Sequence, residues 1–130
     1  LIYGVGVDIV ETARIDAALE RFGDRFASRV LTEDELREFA LAPRPGAFLA
    51  KRFAAKEAFG KALGTGVRAP AHLHAVRVVR DALGRPSFRF GHALDAWLRA
   101  HGITRHHLSL SDERTAAVAV VVLETSDLPS

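Results

Sequence analysis

From Ile2 to Ile9 the chain alternates, with Val5, Val7 and Ile9 on one side and Gly4, Gly6 and Asp8 on the other, a period of two that predicts a strand. Residues 12–22 switch to a helical period that gathers Ile15, Ala18, Leu19 and Phe22 on one face and stops at Gly23. Thr32 followed three positions later by Glu35 is a capping box, predicting a helix that runs to about Leu41. Pro43, Pro45 and Gly46 read as a loop, and residues 47–63 carry the longest helical pattern, ended by Gly64 and Gly66. His74–Arg80 and Pro86–Phe90 read as strands joined by a turn at Asp81–Arg85. A helix over Gly91–His101 and two closing strands, His107–Ser111 and Thr115–Glu124, complete an α+β order. No repeat or linker interrupts it, so residues 1–130 read as one domain.

Composition narrows the function classes. The chain has no cysteine, which excludes a disulfide scaffold, a thiolate metal site and a cysteine nucleophile. The longest apolar run, Ala116–Leu123, is too short to span a bilayer, and Ile2–Val7 lacks the basic flank of a signal peptide. A cytoplasmic protein with no membrane partner is the expectation. The formal charge is only +2, but it is unevenly spread. Residues 1–38 hold nine carboxylates against five arginines, whereas residues 39–80 hold eight basic side chains and one carboxylate, Glu57. A basic segment of this kind points to phosphate or an acidic partner, or is a solvated arginine-rich face.

Three features carry candidate chemistry. Asp8 shares a strand face with Gly4 and Gly6, which leaves a carboxylate facing space that a metal and a bulky anion can enter; the plain alternative is a packing contact with Asp8 as a helix cap. On the long helix, Phe48, Ala55, Phe59, Ala62 and Leu63 form the expected buried arc. Glu57 and Lys61 lie on another arc beside Gly60 and Gly64, either as a ligand-facing pair or as a surface ion pair. Gly64-Thr65-Gly66 is a helix C-cap and turn, or a stretch of backbone open to phosphate. No P-loop, metalloprotease helix or G-x-S-x-G elbow occurs.

The string Gly4-Val-Gly-Val-Asp8-Ile-Val-Glu11 with Arg14, followed by Phe53-Ala-Ala-Lys56-Glu57-Ala-Phe-Gly-Lys61-Ala-Leu-Gly64, resembles the two signature motifs of phosphopantetheinyl transferases, closest to the short bacterial holo-[acyl-carrier-protein] synthases. The likeness extends through Arg29–Leu36, Phe48–Phe53, Gly84-Arg-Pro86 and His107–Ser111. It implies an antiparallel sheet with packed helices and transfer of the 4′-phosphopantetheine arm of coenzyme A to a serine of apo-acyl carrier protein. It implies as well that adenosine 3′,5′-bisphosphate leaves, that Mg²⁺ is required and that the product supports fatty acid biosynthesis. Asp8 and Glu57 match the carboxylates that hold the metal, and Lys61 matches the lysine on the pyrophosphate. The resemblance leaves Glu57 or a metal-bound water as the candidates to take the serine proton. Arg52 and Lys56 match basic positions facing the phosphates of coenzyme A, Gly64, Thr65 and Gly66 a loop along its nucleotide, Pro86 an adenine-side position, and His107 and Ser109 a strand bordering it. Many relatives carry His where this chain has Asp112, which as a carboxylate has no place beside a phosphate.

The carrier protein is acidic in that family, and Arg14 matches an arginine that docks it, with Arg21 two helical turns on and Arg25 past Gly23. Short members assemble as trimers with sites between subunits, which implies a homotrimer with Val118–Val122 near its centre. Two other readings remain: a basic nucleic-acid-binding module, opposed by one Tyr, one Trp and the acidic first segment, and a transferase-like scaffold without activity, opposed by the presence of Asp8, Glu57 and Lys61.

Overall fold

Strand β1, Ile2–Glu11, opens a computed structural model that describes residues 1–126. It pairs antiparallel with β5, Ala116–Thr125, and β5 pairs antiparallel with β4, Ile103–Asp112, giving a sheet of order β1-β5-β4. Strands β2, Val76–Arg80, and β3, Pro86–Phe90, form a separate antiparallel hairpin. Helices α1, Thr12–Phe22, α2, Asp24–Val30, and α3, Glu33–Ala40, follow one another before the 19-residue α4, Pro45–Leu63. A short 3₁₀ turn, Leu73–Ala75, precedes β2, and α5, His92–Ala100, lies between β3 and β4. Among the described residues no helix is long and apolar enough to cross a membrane.

Helix α4 is the centre of the molecule, packed on β1 and β5 on one side and on α3 and the hairpin on others. The glycine face of β1 makes the first contact possible. A Cβ at Gly4 would strike the carbonyl oxygen of Ala62, and one at Gly6 that of Ala58. The space expected for a ligand beside these glycines is therefore filled by the backbone of α4, and strand and helix meet at a separation only glycine permits. Gly60 faces inward too, with Gly66 and Val67 backbone in the place of its missing side chain.

Burial on α4 extends well beyond the expected arc. Ala55, Phe59, Ala62 and Leu63 are buried as the periodicity implies and Phe48 is half-buried, but Arg52 and Lys56 are also enclosed. The helix begins at Pro45, two residues before the expected start, because proline at the first turn sacrifices no helical hydrogen bond. Helix α2 was not expected at all: Gly23, at φ +59°, reverses the chain and a new helix starts at Asp24, burying Ala27 and Val30. The capping box of α3 forms as expected, with Thr32 N–H donating to Glu35 Oε1 at 3.0 Å and Glu35 N–H to Thr32 Oγ1 at 3.3 Å.

The two sheets meet through side chains. His106 on β4 accepts a hydrogen bond from the backbone N–H of Phe88 at its Nε2, 3.0 Å away, and its ring packs on Phe88 and Phe90. Phe59 of α4 closes the cluster, its centroid 5.3 Å from Phe88 and 5.2 Å from Phe90.

Candidate active site

The close approach of β1 and α4 brings Asp8 beside the exposed arc of the helix. Lys61 Nζ donates to Asp8 Oδ1 at 3.0 Å and to the carbonyl of Val7 at 3.1 Å. Asp8 does not cap the next helix, whose N-cap is Glu11. Glu57, one turn before Lys61, is half-buried beside the same pair. Burial first, and then the charge of Asp8, hold its carboxyl above the usual range, with Lys61 acting in the opposite sense. Asp8, Glu57, Glu11, Arg14 and Phe53 line a cleft of about 350 Å³. A larger cleft of about 780 Å³ lies on other elements, around His74, Arg77, Glu33 and Asp34, and there Asp34 is already paired with Arg37 and Arg77.

Two carboxylates that raise each other's energy make a donor set suited to a hard divalent cation. Mg²⁺ takes one or two carboxylates and fills the rest of its octahedron with water and substrate phosphate, so Asp8 and Glu57 fit it. No group of three or more metal-ligating side chains assembles among the described residues, so a closed protein cage is not what this site offers.

Across residues 4–121 the chain matches the sequence profile of the 4′-phosphopantetheinyl transferase superfamily. The chain belongs to that superfamily. Among similar proteins, the holo-[acyl-carrier-protein] synthase of Nitrosospira multiformis is 53% identical over 124 residues, 95% of this chain and 99% of the relative. That of an Azoarcus species is 54% identical over 125 residues, 96% and 99% respectively. The crystal structure of the synthase from Neisseria meningitidis superposes with a TM-score of 0.94 at 50% identity, covering 96% of this chain and all of that one. A Bacillus anthracis synthase in complex with coenzyme A (3′,5′-ADP) gives 0.80 at 37% identity, covering 96% of this chain and 98% of that one.

As a phosphopantetheinyl transferase, the chain departs in several places from the site its sequence implies. Asp8, Glu57 and Arg14 line one cleft, and Lys61 is bonded to Asp8. Arg52 and Lys56, expected to face phosphates, are turned inward: Lys56 Nζ donates to Glu35 Oε1 at 2.6 Å, to Val30 O at 2.7 Å and to Leu73 O at 3.0 Å. Arg52 bonds Glu35, Glu38 at 2.8 Å and Val78 O, with its guanidinium over the Phe48 ring. The N–H groups of Gly64 and Gly66 both donate to Gly60 O at 3.0 Å, so this turn caps α4 and does not hold out these donors to an anion. Thr65 Oγ1 likewise donates to Gly66 O.

His107 and Ser109 lie on the sheet face opposite Asp8. They pair with Val122 and Val120, which sit across from Val5 and Val7, whereas Asp8 pairs with Ala119 on the inner face. Within one chain they cannot border the Asp8 cleft. His107 is bonded to Glu124 at 2.6 Å. Asp112 stands 3.7 Å from Lys51 and outside the cleft, and Pro86 opens β3 opposite Arg80. Arg21 and Arg25 are exposed on α1 and α2, Arg21 over the Phe22 ring. The sequence reading missed Glu35 as the acid that binds Arg52 and Lys56, because its capping role already accounted for it; the two cations four apart on one helix face were the available signal.

Proposed function

We propose that the Asp8–Glu57–Lys61 cleft transfers the 4′-phosphopantetheine arm of coenzyme A to a serine of apo-acyl carrier protein, with Mg²⁺ required and the holo-carrier serving fatty acid biosynthesis in the cytoplasm. The observation that carries this reading is that Asp8 and Glu57, drawn from two separated motifs, line one cleft, with Lys61 of the second motif bonded to Asp8. The serine oxygen bonds to the phosphorus that bears the pantetheine arm, and the bond from that phosphorus to the bridging oxygen breaks. The electron pair leaves on adenosine 3′,5′-bisphosphate. Lys61, held at Asp8, neutralises or protonates the departing oxygen. Glu57, which lines the cleft beside Asp8, is the side chain placed to accept the serine proton. When bound by Asp8 and Glu57, Mg²⁺ supplies Lewis-acid polarisation of the pyrophosphate.

Arg14 lies in the wall of this cleft, so a carrier docked on Arg14, Arg21 and Arg25 delivers its serine to the site, and opposite charge steers the encounter. We also propose a homotrimer. The outer face of the sheet presents Val5, Val7 and Ile9, all about half exposed or more, in register with Val122, Val120 and Val118. An apolar stripe of this extent on a sheet face is an assembly surface. His107 and Ser109 share it, and trimer packing would seat them against a neighbouring chain, where they can border its cofactor.

The test is Glu57→Gln, followed by release of adenosine 3′,5′-bisphosphate. Transfer falls by several kcal/mol of transition-state stabilisation, roughly 10³-fold, while the melting temperature is kept. Near-normal turnover in this variant contradicts the assignment.

A further inference from the structure

One ionised group in this chain is buried more completely than any group in the cleft and takes no part in the chemistry above. Glu35 has no exposed surface, and its carboxylate collects four donors from three parts of the fold. These are Thr32 N–H at 3.0 Å, Lys56 Nζ at 2.6 Å, Arg52 Nη1 at 3.3 Å and the Val78 N–H of β2 at 3.0 Å. Lys56 extends the network to the ends of α2 and the 3₁₀ turn through Val30 O and Leu73 O. No buried side-chain polar atom among the described residues is left without a partner. A buried ionic cluster this complete is seldom the cheapest way to fill a core, since apolar side chains of equal size are often as stabilising. What it adds is a unique orientation.

Lys56 immediately precedes Glu57. With successive helical residues roughly 100° apart, Ala58 and Ala62 face β1 on one side of α4, and Arg52 and Lys56 face Glu35 about 120° further round. Two fixed contacts on different faces leave no freedom to turn about the helix axis. The remaining arc, with Glu57 and Lys61, is then aimed at Asp8. A turn of roughly 20° would carry a side-chain atom at the outer radius of about 5–6 Å through about 2 Å.

We propose that Glu35 is a positioning residue for the transfer reaction: through Lys56 and Arg52 it sets the rotation of α4 and with it the separation of Glu57 and Lys61 from Asp8. This rests on the transfer reading above. Glu35 touches no substrate and acts only through the helix.

Glu35→Gln strands two buried cations and threatens folding itself, so the deciding variant is the pair Glu35→Leu with Lys56→Met, apolar groups of similar size. Two quantities are measured on protein shown to be folded by its melting curve: steady-state transfer, and affinity for Mn²⁺ alone by electron paramagnetic resonance. The paired variant takes the Glu35 acceptor from Thr32 N–H, Val78 N–H and Arg52, which keeps Glu38 and Val78 O. It is expected to melt below the wild type yet cooperatively, to keep KM for coenzyme A within about twofold, and to lose kcat about 10–100-fold, the scale of an ångström-size misplacement. Mn²⁺ affinity falls in the same variant. A folded paired variant with wild-type kcat and wild-type Mn²⁺ affinity overturns the proposal, and so does a paired variant that cannot fold, which makes the cluster a stability element. A wild type that binds Mn²⁺ but transfers nothing to any carrier refutes the transfer reading instead, and the Mn²⁺ comparison still judges the positioning.

Discussion

Gly6→Ala adds one methyl group at the junction of strand and catalytic helix. The new Cβ would overlap the carbonyl oxygen of Ala58 and lie 2.7 Å from the Ala62 nitrogen and 2.9 Å from the Ala58 carbonyl carbon. These neighbours are helix backbone, so no flexible side chain can swing aside. Strand β1 and helix α4 must part by roughly 1 Å or more, a shift of the kind that costs 1–3 kcal/mol in overpacked cores and more where backbone meets backbone. At 130 residues, about 3 kcal/mol lowers the melting temperature by roughly 10 °C. Asp8 lies two residues along the same strand face, with its 3.0 Å bond to Lys61 crossing the widened gap. Misplacement on that scale costs about 10²-fold in rate even in molecules that stay folded. The assay is a thermal melt together with the rate of carrier modification measured well below the variant's own midpoint. Gly91→Ala is the steric control: its Cβ would sit 3.7 Å from Ala75, an ordinary contact, so only the poorer N-cap of α5 is felt, about 0.5–1 kcal/mol with the rate unchanged. A Gly6→Ala protein with native melting temperature and full rate would refute the argument that a glycine contact sets the Asp8–helix distance.

Other consequences are open to direct measurement. Arg14→Ala should raise KM for the carrier up to about fivefold, from up to ~1 kcal/mol for an exposed pair, and flatten its salt dependence; an unchanged salt slope would remove Arg14 from docking. His106 accepts a hydrogen bond at Nε2 and must be neutral, and burial first, then His107, push its pKa down. The unfolded chain therefore binds more protons there, so stability held above about pH 6.5 is lost as pH falls toward the folded-state value. His106→Gln, whose amide oxygen accepts the same bond without titrating, should show a shallower fall in melting temperature from about pH 6.5 to 5 than the wild type; equal slopes would exclude His106 as the cause. Sedimentation should give three chain masses, and Val7→Lys on the outer sheet face should give one. A monomeric wild type would remove the proposed assembly.

Much of this organisation is legible in the sequence because it is local. Alternation marked β1, the Thr32–Glu35 box marked the start of α3, and the spacing of Glu57 and Lys61 put both on one arc of α4. What was not legible depends on contacts between distant segments. Gly4 and Gly6 look like open space along the strand, and only the fold shows that α4 fills it. Arg52 and Lys56 read as exposed cations because their counter-ion, Glu35, lies 17 and 21 residues away on another helix. Strand alternation alone does place His107 and Ser109 on one face, but which face required the register of β4 on β5 and of β5 on β1. Helix α2 is a seven-residue segment behind a glycine, too short for a helical period to declare itself.

The central claim is a chemical transfer, and the mass of the acceptor reports it most directly. An apo-acyl carrier protein is incubated with this protein, coenzyme A and Mg²⁺, with a parallel sample in EDTA, and its intact mass is measured. The account predicts a gain of one phosphopantetheine arm in the first sample and none in the second. No gain with several carriers, from protein shown to be folded, would contradict it, and a gain that EDTA leaves untouched would contradict the role given to Asp8 and Glu57.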